Sequence, residues 1–177
     1  MKKIVCAILA LALLCGGALA ETAGSFETLT NPQLGITLQY PAGWVSNPGT
    51  STICYLESLN SDTVPGRVAV AVKEVSAAPT SEELEDQLTG LSSSIATMYT
   101  NFNITEMTTD GRFMNTRAYA LRYTADSDKG QVSGFITITH INKKLYAFHY
   151  SCAADAFDSM SGAIQTLRDG VSLIKGE

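Results

Sequence analysis

Residues 67–102 read RVAVAVKEVSAAPTSEELEDQLTGLSSSIATMYTNF, and the spacing of their apolar side chains changes midway. In the first part, Val68, Val70 and Val72 alternate with smaller or polar residues, which is typical of a β-strand. In the second part, apolar residues recur every three or four positions, at Leu84, Leu88, Leu91, Ile95, Met98 and Phe102. That spacing predicts one apolar stripe on an amphipathic helix.

The start of this helix is marked by its own residues. Thr80-Ser81-Glu82-Glu83 fits a capping box, in which the threonine caps the first turn and the third following residue is a glutamate. Glu82 and Glu83 also lie where the helix dipole favours negative charge. We therefore expect the helix to begin directly after Thr80.

Strand patterns continue on both sides of the helix. They are predicted at residues 26–29, 35–40, 52–58, 103–108, 112–115, 116–124, 132–141 and 145–152, and a turn at Asp110-Gly111 is expected to separate two of them. Short turns join these strands, so most pairs are expected to be antiparallel. A second amphipathic stripe over residues 157–174 predicts a second principal helix, which Gly162 and Gly170 weaken and could end early. The pattern predicts an α+β fold with one twisted, mainly antiparallel sheet and helices packed on it.

Composition limits the classes of function. The 177 residues include 12 Lys and Arg against 17 Asp and Glu, a net charge of −5. Without residues 1–20, which hold two of the lysines, the net charge is −7. This balance argues against nucleic acid as a partner, because phosphate backbones are bound by clustered basic residues.

The first twenty residues have the pattern of an export signal. Met1-Lys2-Lys3 is followed by the apolar run 4–14 and by the small-residue site Ala18-Leu19-Ala20. The apolar run is too short for a transmembrane span. We expect cleavage after Ala20, a flexible lead over residues 21–25, and a single domain over residues 26–177. The alternative is a lipoprotein anchored to a membrane through Cys15.

After removal of the signal, two cysteines remain, Cys54 and Cys152. An even pair in an exported protein predicts a disulfide between them. The alternative is two separately buried thiols, since free cysteine packs well in a protein core.

Residues 35–44 read GITLQYPAGW, and this strand ending in Tyr-Pro-x-x-Trp near the start of the mature chain resembles the PsbP-like superfamily, which includes Mog-like and DcrB-type proteins. The predicted order of elements is also similar: an early hairpin, strands, a long helix, more strands and a C-terminal helix. The resemblance implies a three-layer α/β/α sandwich around a mainly antiparallel sheet. It also implies an accessory or binding role and supplies no functional residues. Independently of the family, Trp44 reads as a core residue after a strand end.

The sequence contains no pattern that predicts catalysis. His140 and His149, its two histidines, fall on one face of a predicted hairpin about 13 Å apart, too far to share a metal ion. We therefore predict no catalytic, cofactor-binding or metal-binding residue and no cofactor. The aromatic residues of the predicted strands are expected in the core, although some could line a ligand groove.

The expected function is that of an exported, non-catalytic accessory or binding protein of the bacterial cell envelope or extracellular space. Its partner is an unknown protein or small ligand. The alternative is a secreted hydrolase with an unrecognised site, in which His149 and acidic loop residues would act.

Overall fold

The structure, a computed structural model, describes residues 25–46, 53–59 and 61–174. The elements within them are β1 (Phe26–Asn31), β2 (Ile36–Pro41), β3 (Val45–Ser46), β4 (Ile53–Leu56), β5 (Arg67–Glu74), α1 (Ser81–Ala96), β6 (Thr100–Phe113), β7 (Thr116–Ser127), β8 (Gly130–Ile141), β9 (Lys144–Ala153), α2 (Ala154–Phe157), α3 (Ser161–Asp169) and β10 (Ser172–Leu173). The predicted export signal and Cys15 lie outside the described residues. No helix in the described part is both long and apolar enough to cross a membrane.

The strands form two antiparallel sheets. The larger has seven strands in the order β3-β4-β5-β9-β8-β7-β6, and the smaller has the order β1-β2-β10. Consecutive hairpins join β6 to β9, so neighbours in the sequence are neighbours in this part of the sheet. The predicted α+β class with a mainly antiparallel sheet is confirmed. The early strands differ from the prediction because β1 and β2 pair with the C-terminal β10 and not with the main sheet.

The two faces of the large sheet have different covers. On the face that we call the hairpin face, residues such as Val68, Phe148 and Tyr150 pack with the β1–β2 hairpin, α2 and α3. On the opposite face, the helix face, Leu121, Tyr123 and Ile136 pack against α1. The alternation of side chains along each strand produces both apolar surfaces, because successive residues point to opposite sides.

Helix α1 begins where the sequence predicts. The Glu83 backbone amide donates to the Thr80 hydroxyl at 3.2 Å, and the Thr80 amide donates to the Glu83 carboxylate at 2.7 Å. This reciprocal pair satisfies two amides that would otherwise lack partners at the helix start. Leu88 and Ile95, from the predicted stripe, are buried against the sheet.

The predicted turn at Asp110-Gly111 is wrong. Both residues lie within β6, at one of three register shifts between β6 and β7. The chain turns instead at Met114-Asn115, where both residues have positive φ, 52° and 61°. Two consecutive positive φ values match the twist of a tight hairpin, whichever residues supply them.

The predicted C-terminal helix is wrong as a single element, because the structure divides it, whereas its early end before Gly170 is as expected. The chain forms the short α2, then α3, and α3 ends at Asp169. Gly170 lies so close to Gln39 of β2 that an added Cβ would be 2.8 Å from that side chain. This close approach brings the following residues against β2, where Ser172 and Leu173 pair as β10.

Candidate functional site

A cleft of about 400 Å³ opens on the hairpin face, between the end of β2, the β4–β5 connection, the end of β9 and the helices α2 and α3. Its walls are mainly apolar and include Phe26, Pro41, Trp44, Tyr150, Met160 and Ala163. A volume of this size and an apolar lining are usual for binding sites of small ligands or protein side chains.

The segment Tyr40-Pro41-Ala42-Gly43-Trp44 brings the indole into the cleft. The Trp44 amide donates to the Pro41 carbonyl at 3.2 Å, which closes a tight turn, and Gly43 within it has φ of +83°. A residue with a side chain is strained at that φ, so glycine suits the position. The Ala42 amide donates to the Ser25 carbonyl at 2.8 Å and ties the turn to the start of β1.

The other side of the indole rests on the backbone of Gly66. A Cβ added at Gly66 would lie 2.7 and 2.8 Å from two ring carbons of Trp44. Glu57 fixes this loop, because its amide donates to the Gly66 carbonyl at 2.9 Å and its carboxylate accepts from the Gly66 amide at 3.1 Å. The absence of a side chain at position 66 therefore gives the indole its place in the wall.

The thiol of Cys152 and the hydroxyl of Tyr150 in the cleft wall are neutral at physiological pH. Burial raises the pKa of the Cys152 thiol, whose sulfur donates to the Ala153 carbonyl at 3.3 Å. Burial likewise raises the pKa of the Tyr150 hydroxyl. The exposed carboxylate of Glu57 supplies negative charge at the rim. Such a lining favours apolar groups and provides no activated thiolate.

His149, which the hydrolase alternative would use, lies on the opposite face of the sheet from the cleft. It is 6% exposed, and its Nε2 shares a 2.8 Å hydrogen bond with the Tyr123 hydroxyl. Burial, with a smaller effect from the charge of Arg67, lowers the pKa of His149 to about 3. The imidazole is therefore a neutral core group, and the tyrosine is its hydrogen-bond partner.

The register confirms that the two histidines share a sheet face at a distance. His140 pairs with Leu145, four residues before His149 on β9. Within the described ranges, no three His, Cys, Asp or Glu side chains come together in a group that could hold a metal ion.

The expected disulfide between Cys54 and Cys152 is not formed, and both are free, buried thiols. Cys54 pairs with Ala69, and Ala69 pairs with His149, so the Cys54 side chain points to the helix face. Cys152 is three residues beyond His149 and packs in the cluster of the hairpin face. Two cysteines that point to opposite sides of a sheet from strands that are not neighbours cannot be joined without moving the backbone.

The prediction that Trp44 is a core residue describes only part of its environment. It packs against the hairpin-face cluster, yet it is half-buried and lines the cleft. Tyr150 has the same double role, which agrees with the alternative that some aromatic residues of the strands line a ligand groove. The Tyr-Pro-x-x-Trp motif was the available signal, and it marks the corner where the cleft forms.

The fold has relatives among solved structures. Cyanobacterial PsbP (CyanoP) from Synechocystis sp. PCC 6803 superposes with a TM-score of 0.65 at 16% identity, covering 90% of this chain and 99% of that one. The Ran-binding protein Mog1p of Saccharomyces cerevisiae gives a TM-score of 0.52 at 10% identity, with coverage of 85% and 96%. LpqN of Mycobacterium tuberculosis, which is involved in cell envelope biogenesis, gives 0.51 at 12% identity, with coverage of 84% and 90%.

These identities are low, so the superpositions establish a shared fold and no shared activity. No curated protein matches the sequence. The PsbP family model matches residues 24–172, which include every described strand and helix except the last residue of β10. The chain therefore belongs to the PsbP family.

Proposed function

We propose that this protein is a non-catalytic accessory protein, exported to the bacterial cell envelope or the extracellular space, that binds an apolar group of a protein or small ligand in the Trp44 cleft. The observation that carries the proposal is the cleft itself, which is already formed, mainly apolar and large enough for such a group.

The chemistry of the cleft supports binding over catalysis. A nucleophile needs an adjacent base or a lowered pKa, and Cys152 in the cleft wall has a raised pKa. His149, the histidine closest in sequence to Cys152, points to the other face of the sheet and bonds to Tyr123. These two side chains therefore cannot act together.

The relatives support an accessory role in general terms. One binds a protein, Ran, and another takes part in cell envelope biogenesis. For export, the support is the signal pattern of residues 1–20. Mass spectrometry of the protein from its native host tests this part: a chain beginning at Glu21 supports export with cleavage, an acylated Cys15 indicates the lipoprotein, and an intact Met1 terminus contradicts both.

Trp44 allows a direct test of binding, because it is the single tryptophan of the sequence and it lines the cleft. The apolar dye N-phenyl-1-naphthylamine is titrated into the purified protein while Trp44 emission is followed. Occupancy of the cleft is expected to quench the emission saturably, through energy transfer to the dye.

A matched pair of variants localises the signal. Ala163→Leu fills space in the cleft and is expected to weaken dye binding, whereas Ala154→Leu makes the same change at a half-buried helical alanine outside the lining. If the two folded variants bound the dye with equal affinity, the dye would not be bound in the Trp44 cleft. The non-catalytic assignment would be overturned if the purified protein reproducibly turned over a substrate and if substitution of a cleft residue abolished that turnover.

A further inference from the structure

A second depression lies on the other side of α2 and α3 from the Trp44 cleft. It consists of two adjoining cavities of about 190 and 290 Å³ that share Arg122, Phe135 and Arg168 in their walls. We call this feature the arginine groove. It runs between the exposed surface of β6–β8 and the helix α3.

The groove brings together most of the arginine side chains of an acidic protein. The sequence contains five arginines, and three of them line the groove: Arg112, Arg122 and Arg168. Two carboxylates, Glu106 and Asp158, lie in the same lining, and a third, Asp169, contacts Arg168 from outside it, so the arginines are balanced by weakly held surface carboxylates. Arginine is the side chain best suited to hold carboxylate or phosphate groups, because its planar fork presents paired donors.

Arg122 stands at the centre of the groove with one weak partner. Its Nε is 3.6 Å from the Glu106 carboxylate, which is beyond hydrogen-bond distance, and the two side chains are 49% and 59% exposed. Its guanidinium carbon is 5.8 Å from the centre of the Phe157 ring. The ring faces the guanidinium in a cation–π contact. The ion pair with Glu106 is exposed and contributes little to stability, so another anion can replace the glutamate.

Arg168 provides the second cation from α3. Its Nε and Nη2 are both 3.1 Å from one oxygen of Asp169, so this contact engages two of its three nitrogens on a single acceptor. Its side chain is 27% exposed and lines both cavities. Phe135, which is half-buried and lines both cavities together with the two arginines, offers an apolar surface in the shared wall.

We propose that the arginine groove is a binding site for an anionic ligand whose carboxylate or phosphate group is held by Arg122 and Arg168 and whose apolar part lies on Phe135. Glu106 takes the place of the ligand's anionic group in the free protein. Binding exchanges this weak internal carboxylate for one that reaches both guanidinium groups. The site is separate from the Trp44 cleft and does not depend on it.

Four probes separate the two sources of the anionic group. Phenyl phosphate and benzoate carry an aromatic body, whereas inorganic phosphate and acetate lack it. Each is titrated into the ¹⁵N-labelled protein at constant ionic strength, and the arginine Nε–Hε signals are followed by NMR. We expect saturable shifts at Arg122 and Arg168, with tighter binding for the aromatic member of each pair; the better of phenyl phosphate and benzoate identifies the anionic group.

Variants test the assignment in both directions. Arg122→Gln and Arg168→Gln are each expected to weaken binding of the better probe about tenfold or more, because a charge-assisted contact is lost. Glu106→Gln is expected to tighten it about two- to fivefold, since the internal competitor is a surface ion pair. Arg117→Gln is the matched control on the same strand, because Arg117 lies over Tyr119, a residue of the helix-face cluster, and it should leave the affinity unchanged.

The Glu106→Gln variant is expected to bind the probe more tightly. Loss of folding weakens binding, so an unstable variant could not produce this increase in affinity. The proposal is overturned if no probe gives saturable shifts up to about 20 mM, the range of a weak contact with one group. It is also overturned if Arg117→Gln weakens binding as much as Arg122→Gln, or if Glu106→Gln leaves the affinity unchanged or lowers it.

Discussion

The buried His149 makes a quantitative prediction about stability and pH. Its pKa is about 3 in the folded protein, against an ordinary value of 6.5. Between these two values the unfolded chain binds a proton at His149 that the folded protein does not bind. Stability from this group is therefore complete above pH 6.5 and is lost as the pH falls towards 3.

The loss approaches about 1.4 kcal/mol for each pH unit below 6.5, and amounts to about 2.7 kcal/mol between pH 7.5 and 4.5. For a domain of ordinary stability this is a substantial fraction of the free energy of unfolding. Urea unfolding followed by circular dichroism at pH 7.5, 6.5, 5.5 and 4.5 measures it. The midpoint is expected to fall by about 1 M or more over the acidic interval.

The variant His149→Phe isolates the contribution of this histidine. We expect its free energy of unfolding at pH 7.5 to be about 1–3 kcal/mol lower than that of the wild type, because the buried Tyr123 hydroxyl loses its hydrogen-bond partner. Its further loss towards pH 4.5 should be smaller than that of the wild type by about 2.7 kcal/mol. His140→Gln is the matched control, because it replaces the other histidine and keeps His149 with its partner Tyr123. Parallel curves for the wild type and His149→Phe would refute the assignment of a neutral, buried imidazole.

Three further predictions concern the core, a turn and the thiols. Gly134→Ala is expected to cost about 2–4 kcal/mol of unfolding free energy in urea titrations, because the new Cβ would lie 2.2–2.4 Å from three atoms of the Tyr123 side chain. Lys143→Gly should raise stability by up to about 1 kcal/mol in the same titrations, since Lys143 has φ of +62° in a tight hairpin turn that favours glycine. Cys54 and Cys152 should react with a thiol reagent only after unfolding, and reduction of the purified protein should leave its mass unchanged.

Each of these has a control or a contrary result. Gly162→Ala is the matched change in α3, where nothing lies within 4 Å of the new Cβ, and it should stabilise the helix by about 0.5–1 kcal/mol. A Gly134→Ala protein as stable as Gly162→Ala would contradict the packing of Tyr123 on the strand. If Lys143→Gly lowered the stability, the Lys143 side chain would contribute more to the turn than the backbone preference for glycine at this φ. A gain of two mass units on reduction would show that the purified protein contains a disulfide after all.

The parts of the fold that depend on neighbouring residues could be predicted from the sequence. Thr80 and Glu83 define the start of α1, because both partners of the capping box lie within one turn. The hairpin turn at Asn142-Lys143 also lies where the sequence predicts, between two runs of alternating residues. In both cases the interactions that decide the conformation span only a few residues.

The turn between β6 and β7 could not be found in this way. Asp110-Gly111 is a common turn dipeptide, whereas Met114-Asn115 is not. The register shift next to Gly111 lets β6 continue past it, and that shift is set by the partner strand β7. The sequence around the turn contains no trace of this pairing.

Contacts between distant parts of the chain also determine whether the two cysteines meet and where the Trp44 cleft forms. Whether Cys54 and Cys152 meet depends on the register of β4, β5 and β9, which the sequence of any one strand leaves open. The Trp44 cleft depends on the meeting of Trp44 with Gly66 and Met160, which come from three separate parts of the chain. The motif at residues 40–44 predicted a core tryptophan after a strand end but not the empty space beside it.

Both proposed sites follow from how the two faces of the large sheet are covered. On the helix face, the sixteen residues of α1 form one continuous cover, and the pocket beside it measures about 140 Å³. On the hairpin face, a short hairpin, the four-residue α2 and the nine-residue α3 share the task, so gaps remain between them. One gap is the Trp44 cleft and the other is the arginine groove, on opposite sides of α2 and α3. Because the break between α2 and α3 sets the position of this cover, a change there should alter both sites, whereas a change in α1 should alter stability alone.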